Sequence, residues 1–129
     1  MTTAARFYAL FAGLPRAHGT TNTASLKLDQ AKGKLDGRSY IVKEPLTEAL
    51  WEQHLAGKYG LGVFPLTDDG TCQWGALDID VYNLDHKELE QQVQALSLPL
   101  VVARTKSGGA HLILFLSAPT PAAQVRHDL

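Results

Sequence analysis

The spacing of apolar residues in the first half of the chain predicts a small αβ module over residues 1–70. Ala4–Leu14 places apolar and aromatic side chains at helical spacing. Arg16–Ser39 is polar and weakly periodic, which predicts a long loop with a short helix or strand inside it. Thr47 is a suitable N-cap for a second helix, and Leu61–Pro65 reads as a short strand.

The second half, residues 71–129, predicts the order strand, helix, strand, strand, helix. The strands are expected at Gln73–Tyr82, Leu100–Arg104 and Ala110–Leu116, and Asp85 starts a capping box before the first helix. Thr120 followed by proline has the pattern of another helix start. This order is the first part of a split βαββαβ unit, the ferredoxin-like or RNA-recognition-motif (RRM) topology. We therefore expect an α+β fold, an N-terminal αβ module followed by an incomplete RRM-like βαββ(α) sheet, within one domain.

The strand at Gln73–Tyr82 carries two carboxylates within an apolar run. Side chains alternate between the faces of a strand, so Asp78 and Asp80 are expected on the same face. The opposite face carries apolar residues that we expect in a core: Leu77, Ile79 and Val81. The short strand at Leu61–Pro65 is expected to form a hairpin with this one.

Composition narrows the class of protein. The chain has 129 residues, 45% of them apolar, which suits one globular domain. Its net charge of −1 gives no overall attraction for nucleic acid, so a polyanion would need a local basic patch. Five cations could form one: Arg16, Lys27, Lys32, Lys34 and Arg38. The single Cys72 excludes an internal disulfide, and there is no apolar run of membrane-spanning length, so we expect a soluble cytoplasmic domain with no membrane partner.

The paired carboxylates indicate a divalent metal. Like charges held this close repel one another, and a hard cation with a preference for oxygen, Mg²⁺ or Mn²⁺, relieves the repulsion. Asp78-x-Asp80 alone is common to glycosyltransferases, nucleases and polymerases, so it does not choose among them.

The predicted topology adds a second feature to this site. In a split βαββαβ unit the third strand lies antiparallel beside the first, so the aspartates should lie next to the turn that opens the third strand. That turn and strand carry Lys106, Ser107, Gly108, Gly109 and His111. Its backbone can approach phosphate oxygens, and its lysine and histidine can contact them. His111 alone is more typical of a hydrogen-bonded core histidine; beside the aspartates and the glycine turn, a phosphate contact is favoured. The combination predicts a site for a metal-bound nucleoside triphosphate.

At this point the motifs resemble those of a known family. Leu77-Asp78-Ile79-Asp80, followed by Ser107-Gly108-Gly109-Ala110-His111-Leu112, resembles the first two motifs of the archaeo-eukaryotic primase superfamily. Further segments are similar to the primase–polymerase domain of TOTE conflict systems: Tyr40, Pro45-Leu46-Thr47, Gly57-Lys58, Gly62–Leu66 and Cys72-Gln73-Trp74.

The resemblance implies a DNA primase–polymerase that transfers nucleotides from NTP or dNTP on a single-stranded DNA template, with a fused or associated helicase. It implies that Asp78 and Asp80 bind Mg²⁺ or Mn²⁺ and that His111 contacts the triphosphate. Lys106 and Ser107 lie in the same motif. Arg104 and the basic segment are expected to approach the template or the nucleotide.

The family's third motif is a metal-binding aspartate on a later strand, beyond the helix that starts at Pro121. We therefore expect the domain to be C-terminally incomplete, with an open sheet edge. Unless the N-terminal half covers that edge, the chain is expected to self-associate or to be marginally stable. Two alternatives stay open: a catalytically inactive nucleotide- or nucleic-acid-binding module on the same fold, and a metal-dependent nuclease.

Overall fold

The computed structural model describes residues 1–29, 34–81, 83–105 and 107–129, with backbone alone at 22–29 and 34–37. Four helices and two three-stranded antiparallel sheets make up the described part, which confirms the expected α+β class. In chain order the elements are α1 (Thr3–Leu10), β1 (His18–Asp29), β2 (Lys34–Val42), α2 (Glu48–Leu55), β3 (Gly60–Gly62), β4 (Thr71–Ile79), α3 (His86–Ala95), β5 (Val101–Arg104), β6 (Ala110–Pro121) and α4 (Ala122–Asp128).

The N-terminal sheet corrects two sequence predictions. The segment expected to be a long loop forms the long strands β1 and β2, which pair from His18↔Val42 onward. β3 pairs with the other edge of β1, so the expected hairpin between β3 and β4 is wrong. Glycines permit the close approach of β3 and β1: a Cβ built on Gly62 would lie 3.2 Å from the Cα of Gly19, its partner in the register.

The C-terminal sheet has the expected topology. Its strand order is β4-β6-β5 with both pairings antiparallel, so the third strand of the unit lies beside the first. α3 connects β4 to β5 and packs on β5, while α4 packs on β4 and β6. The sequence order strand, helix, strand, strand, helix is therefore realised as a three-stranded RRM-like sheet with two helices.

An aromatic cluster joins the two halves. The ring of Phe11, at the end of α1, stands edge-on to Trp74 of β4 and to Phe115 of β6, with centroids 5.2 Å away in both cases. It also stacks with Trp51 of α2 at 5.6 Å. Trp51 and Trp74 are both more than nine-tenths buried. Edge-to-face and offset aromatic pairs of this kind stabilise beyond the area they bury, so the cluster fixes α1 and α2 against one face of the C-terminal sheet.

The far end of β4 departs from expectation. Leu77 is 38% exposed and Val81 57% exposed, so the predicted core on this face is wrong for both, and Ile79 is half-buried. α4 covers only part of this face of β4, because its contacts through Val125 and Leu129 are made at Gly75. The end of the strand beyond Gly75 is therefore more exposed. β4 also ends at Ile79 rather than at Tyr82, which lies outside the described residues.

Helix caps were largely predictable. The side chain of Thr47 accepts a hydrogen bond from the Leu50 amide at the start of α2, and Asp85 accepts one from the Glu88 amide at the start of α3. Thr120 does not cap α4, because Pro121 occupies the N-cap position and Thr120 bonds back to a nearby carbonyl. None of the helices in the described ranges is long and apolar enough to cross a membrane.

Candidate active site

The register of β4 and β6 brings Asp78 directly opposite His111. The imidazole Nε2 of His111 lies 3.5 Å from Oδ1 of Asp78, and the two side chains are 49% and 61% exposed. Directly opposite residues on paired strands share a face, so both lie on the face that carries Trp74 and Phe115. At about 3.3–3.4 Å per residue, Asp78 lies roughly 13 Å along the strand from that aromatic cluster. The pair therefore occupies the open, solvent-facing end of a face whose other end is packed.

The glycine turn of Thr105–Gly109 closes the β5–β6 hairpin beside this pair. The Gly109 carbonyl accepts a hydrogen bond from the Thr105 amide, and the Thr105 carbonyl accepts one from the Gly108 amide, both at 3.1 Å. Gly108 has φ +90°, a conformation that favours glycine. A Cβ on Gly109 would lie well under 3.0 Å from the carbonyl oxygen of Ile79. The turn thus packs directly on the last peptide of β4, between the two aspartates.

The other predicted site residues are placed less uniformly. Asp80 is exposed and lies one residue beyond β4, so strand geometry no longer fixes it on the face of Asp78. Ser107 is half-buried within the glycine turn. Arg104 pairs with Ala110 and not with His111, which puts it on the opposite face of the sheet, so the structure does not bring it together with the Asp78–His111 pair. Lys106 lies outside the described residues.

One contact at this site was not predicted from the sequence. His86, the first residue of α3, is half-buried, and its Nε2 lies 2.7 Å from the Gly109 carbonyl oxygen. His86 follows the N-cap Asp85 directly, and the capping box gave no reason to expect this contact. No pattern in the sequence links position 86 to position 109, because the link exists only after α3 has packed beside the hairpin.

The basic segment is partly neutralised where it can be described. Arg16 forms a bidentate ion pair with Asp68, with the closest N–O distance at 2.9 Å. The hydrogen bond from Arg16 holds the pKa of the Asp68 carboxyl below its ordinary value, and Asp68 in turn raises the pKa of the guanidinium. Asp69 accepts hydrogen bonds from Thr67 and Thr71, which lower the pKa of its carboxyl. Both aspartates belong to the turn before β4.

The donor set at the open end suits a hard cation in its chemistry. Mg²⁺ commonly binds through one or two carboxylates together with substrate phosphates, and Asp78 and Asp80 offer two carboxylates beside a turn able to approach phosphate. Within residues 1–29, 34–81, 83–105 and 107–129, no group of three or more His, Cys, Asp or Glu side chains is arranged to hold a metal. Asp78 and Asp80 are thus the side chains at this end of the sheet whose oxygen donors suit such a cation.

The described part of the chain thus combines an RRM-like antiparallel sheet with a carboxylate–imidazole pair and a glycine turn at the ends of neighbouring strands. The chain belongs to the archaeo-eukaryotic primase domain family of TOTE conflict systems, whose family model matches residues 17–128. No curated protein shows significant similarity to the chain. At the level of the family, the domain is a primase/polymerase-type nucleotidyltransferase that handles nucleotides and nucleic acid, and such domains are generally metal-dependent.

Proposed function

We propose that this domain binds an NTP or dNTP with Mg²⁺ or Mn²⁺ and transfers the nucleotide onto a growing strand on a single-stranded DNA template. The observation that carries the proposal is the register of Asp78 opposite His111, with 3.5 Å between Oδ1 and Nε2 and the glycine turn alongside. A carboxylate, an imidazole and a close-approach backbone turn on one exposed edge are suited to a metal-bound triphosphate.

Each residue has a separate role in this proposal. Asp78 and Asp80 would hold the metal, which supplies charge neutralisation of the triphosphate when bound. His111 would donate a hydrogen bond to a phosphate oxygen, and Ser107, Gly108 and Gly109 would let phosphate approach the backbone. Lys106, by its place in the same motif, would add a positive charge.

The template would approach from the N-terminal sheet and its basic segment. Arg38 and Lys43 are exposed at the β2 end of this sheet, and cations at such positions contribute sequence-independent attraction for phosphate. Arg104, on the opposite face of the C-terminal sheet, is a weaker candidate for a nucleotide contact than the sequence suggested. A helicase acting with the domain would supply single-stranded template.

Calorimetric titration of Mn²⁺ and a nucleotide tests the metal assignment. We expect Asp78→Ala to weaken Mn²⁺-dependent nucleotide binding at least tenfold, because a charged oxygen ligand for the metal is lost. The chain offers a matched control: Asp128 lies 3.2 Å from His127 at the end of α4, an exposed Asp–His pair much like Asp78–His111. Asp128→Ala should bind as the wild type does. Equal binding by wild type and Asp78→Ala would overturn the assignment.

A second candidate is nucleotide binding without transfer. It is favoured by the position of Asp80 beyond the end of β4, since the strand itself then fixes a single carboxylate beside His111. Primer extension on a DNA template separates the two candidates: synthesis by the wild type that Asp78→Ala abolishes supports transfer, and binding without synthesis supports the second. Degradation of DNA in the absence of nucleotides would instead indicate a nuclease.

A further inference from the structure

His86 forms a hydrogen bond with the Gly109 carbonyl and has no role in the proposed function. A carbonyl oxygen can only accept, so the imidazole Nε2 donates its proton to Gly109 across 2.7 Å. The same oxygen accepts the Thr105 amide at 3.1 Å. Because a carbonyl oxygen has two lone pairs, these two donors commit it fully within the protein. A carbonyl left free at this turn would present negative charge to a phosphate.

His86 also lies at the end of the segment that carries Asp80. The chain leaves β4 at Ile79, passes through Asp80 and re-enters regular structure at His86. The Ile79 carbonyl packs against Gly109 so closely that no Cβ fits, and His86 bonds to the carbonyl of that same glycine. Both ends of the segment that carries Asp80 therefore rest on one residue of the glycine turn.

We infer that His86 is a positioning residue: it holds the Asp80 segment and the glycine turn at a fixed separation, so that the metal-side carboxylates and the phosphate-side backbone can engage one triphosphate together. The inference rests on the proposed function, because it concerns the affinity of that same site. His86 touches no substrate in this scheme and acts through Gly109. Loss of this hydrogen bond is expected to weaken nucleotide affinity roughly two- to tenfold.

Two substitutions separate the hydrogen bond from the packing of the ring. His86→Phe keeps an aromatic ring and removes the donor, whereas His86→Gln keeps an N–H donor at a similar reach. The first measurement needs no nucleotide: amide chemical shifts and hydrogen exchange of Gly108, Gly109 and Ala110 in the free protein. We expect faster exchange and displaced shifts in His86→Phe and near-native values in His86→Gln. The second measurement is calorimetric titration with Mn²⁺ and a nucleotide, where we expect binding weakened several-fold in His86→Phe and restored in His86→Gln.

The outcomes are distinguishable from those that concern the proposed function. Unchanged amides in His86→Phe would overturn the inference directly, and so would displaced amides with nucleotide binding equal to wild type. Equal weakening in His86→Phe and His86→Gln would overturn it as well, because it would assign the effect to the ring and not to the donor. A wild-type protein that binds no nucleotide would instead overturn the proposed function, while the amide measurement would still report whether His86 fixes the turn.

Discussion

Replacement of Gly109 by alanine probes the closest approach in the candidate site. The added methyl group would lie well under 3.0 Å from the Ile79 carbonyl oxygen, where ordinary contacts are 3.4–4 Å. The obstacle is backbone at the end of a paired strand, so it cannot rotate away as a side chain would. Overpacking of this kind typically costs about 1–3 kcal/mol, and we expect Gly109→Ala to lower the free energy of unfolding by that amount in urea denaturation.

The neighbouring glycine supplies the control for this prediction. A Cβ on Gly108 meets nothing within 4 Å, although its φ of +90° disfavours alanine. Gly108→Ala should therefore cost only the backbone term, about 1 kcal/mol, without moving Ile79. We further expect Gly109→Ala, more than Gly108→Ala, to shift the amide resonances of Asp78–Asp80. Wild-type stability in Gly109→Ala, or equal shifts in both variants, would refute the idea that the turn packs on β4.

Three further predictions concern the remainder of the domain. Thr47→Ala should destabilise the protein by about 1 kcal/mol, measured by thermal unfolding, because the Leu50 amide loses its cap; an unchanged Tm would contradict this. The lowered pKa of Asp68 means that its pair with Arg16 contributes fully above the ordinary carboxyl value of 3.8 and is lost as the pH falls through the folded value. In Asp68→Asn, the free energy of unfolding should therefore depend slightly less on pH in the acid range. The difference from wild type should be smaller at high salt, since both side chains are about two-thirds exposed. Because β4 is an edge strand of its sheet, we expect concentration-dependent association in sedimentation velocity, and a monomer at every concentration would exclude it.

Sequence patterns recovered those parts of the fold that local chemistry determines. The caps at Thr47 and Asp85 and the β5–β6 glycine turn each follow from residues a few positions apart. The β4-β6-β5 order was also predictable, because a split βαββαβ unit allows few arrangements. The polar strands β1 and β2 were missed, since their Thr, Ser and Lys residues show no apolar alternation and only pairing at a distance makes them strands.

In the candidate site, too, the contacts that follow from strand topology were predictable and those that depend on helix packing were not. The proximity of Asp78 to His111 followed from topology, and the register makes it direct. The opposite-face position of Arg104 was also implicit in strand alternation, but only once the hairpin register was known. The bond from His86 to Gly109 could not be predicted, because it depends on how the first turn of α3 lies against the hairpin.

The aromatic pair Trp74–Phe115 has a consequence for how this site can vary. A slip of one residue between paired strands turns every side chain to the other face, and would separate Asp78 from His111. The irregularity in the β4–β6 ladder falls between Cys72 and Trp74, so the pairing runs without a break from Trp74 to Ile79. Phe11 packs against both rings. These contacts fix the register of β4 against β6 four residues away from Asp78 and His111. We therefore expect a one-residue insertion just before Trp74 to be accommodated at this irregularity. A one-residue insertion between Trp74 and Asp78 would instead move the carboxylate away from the imidazole of His111.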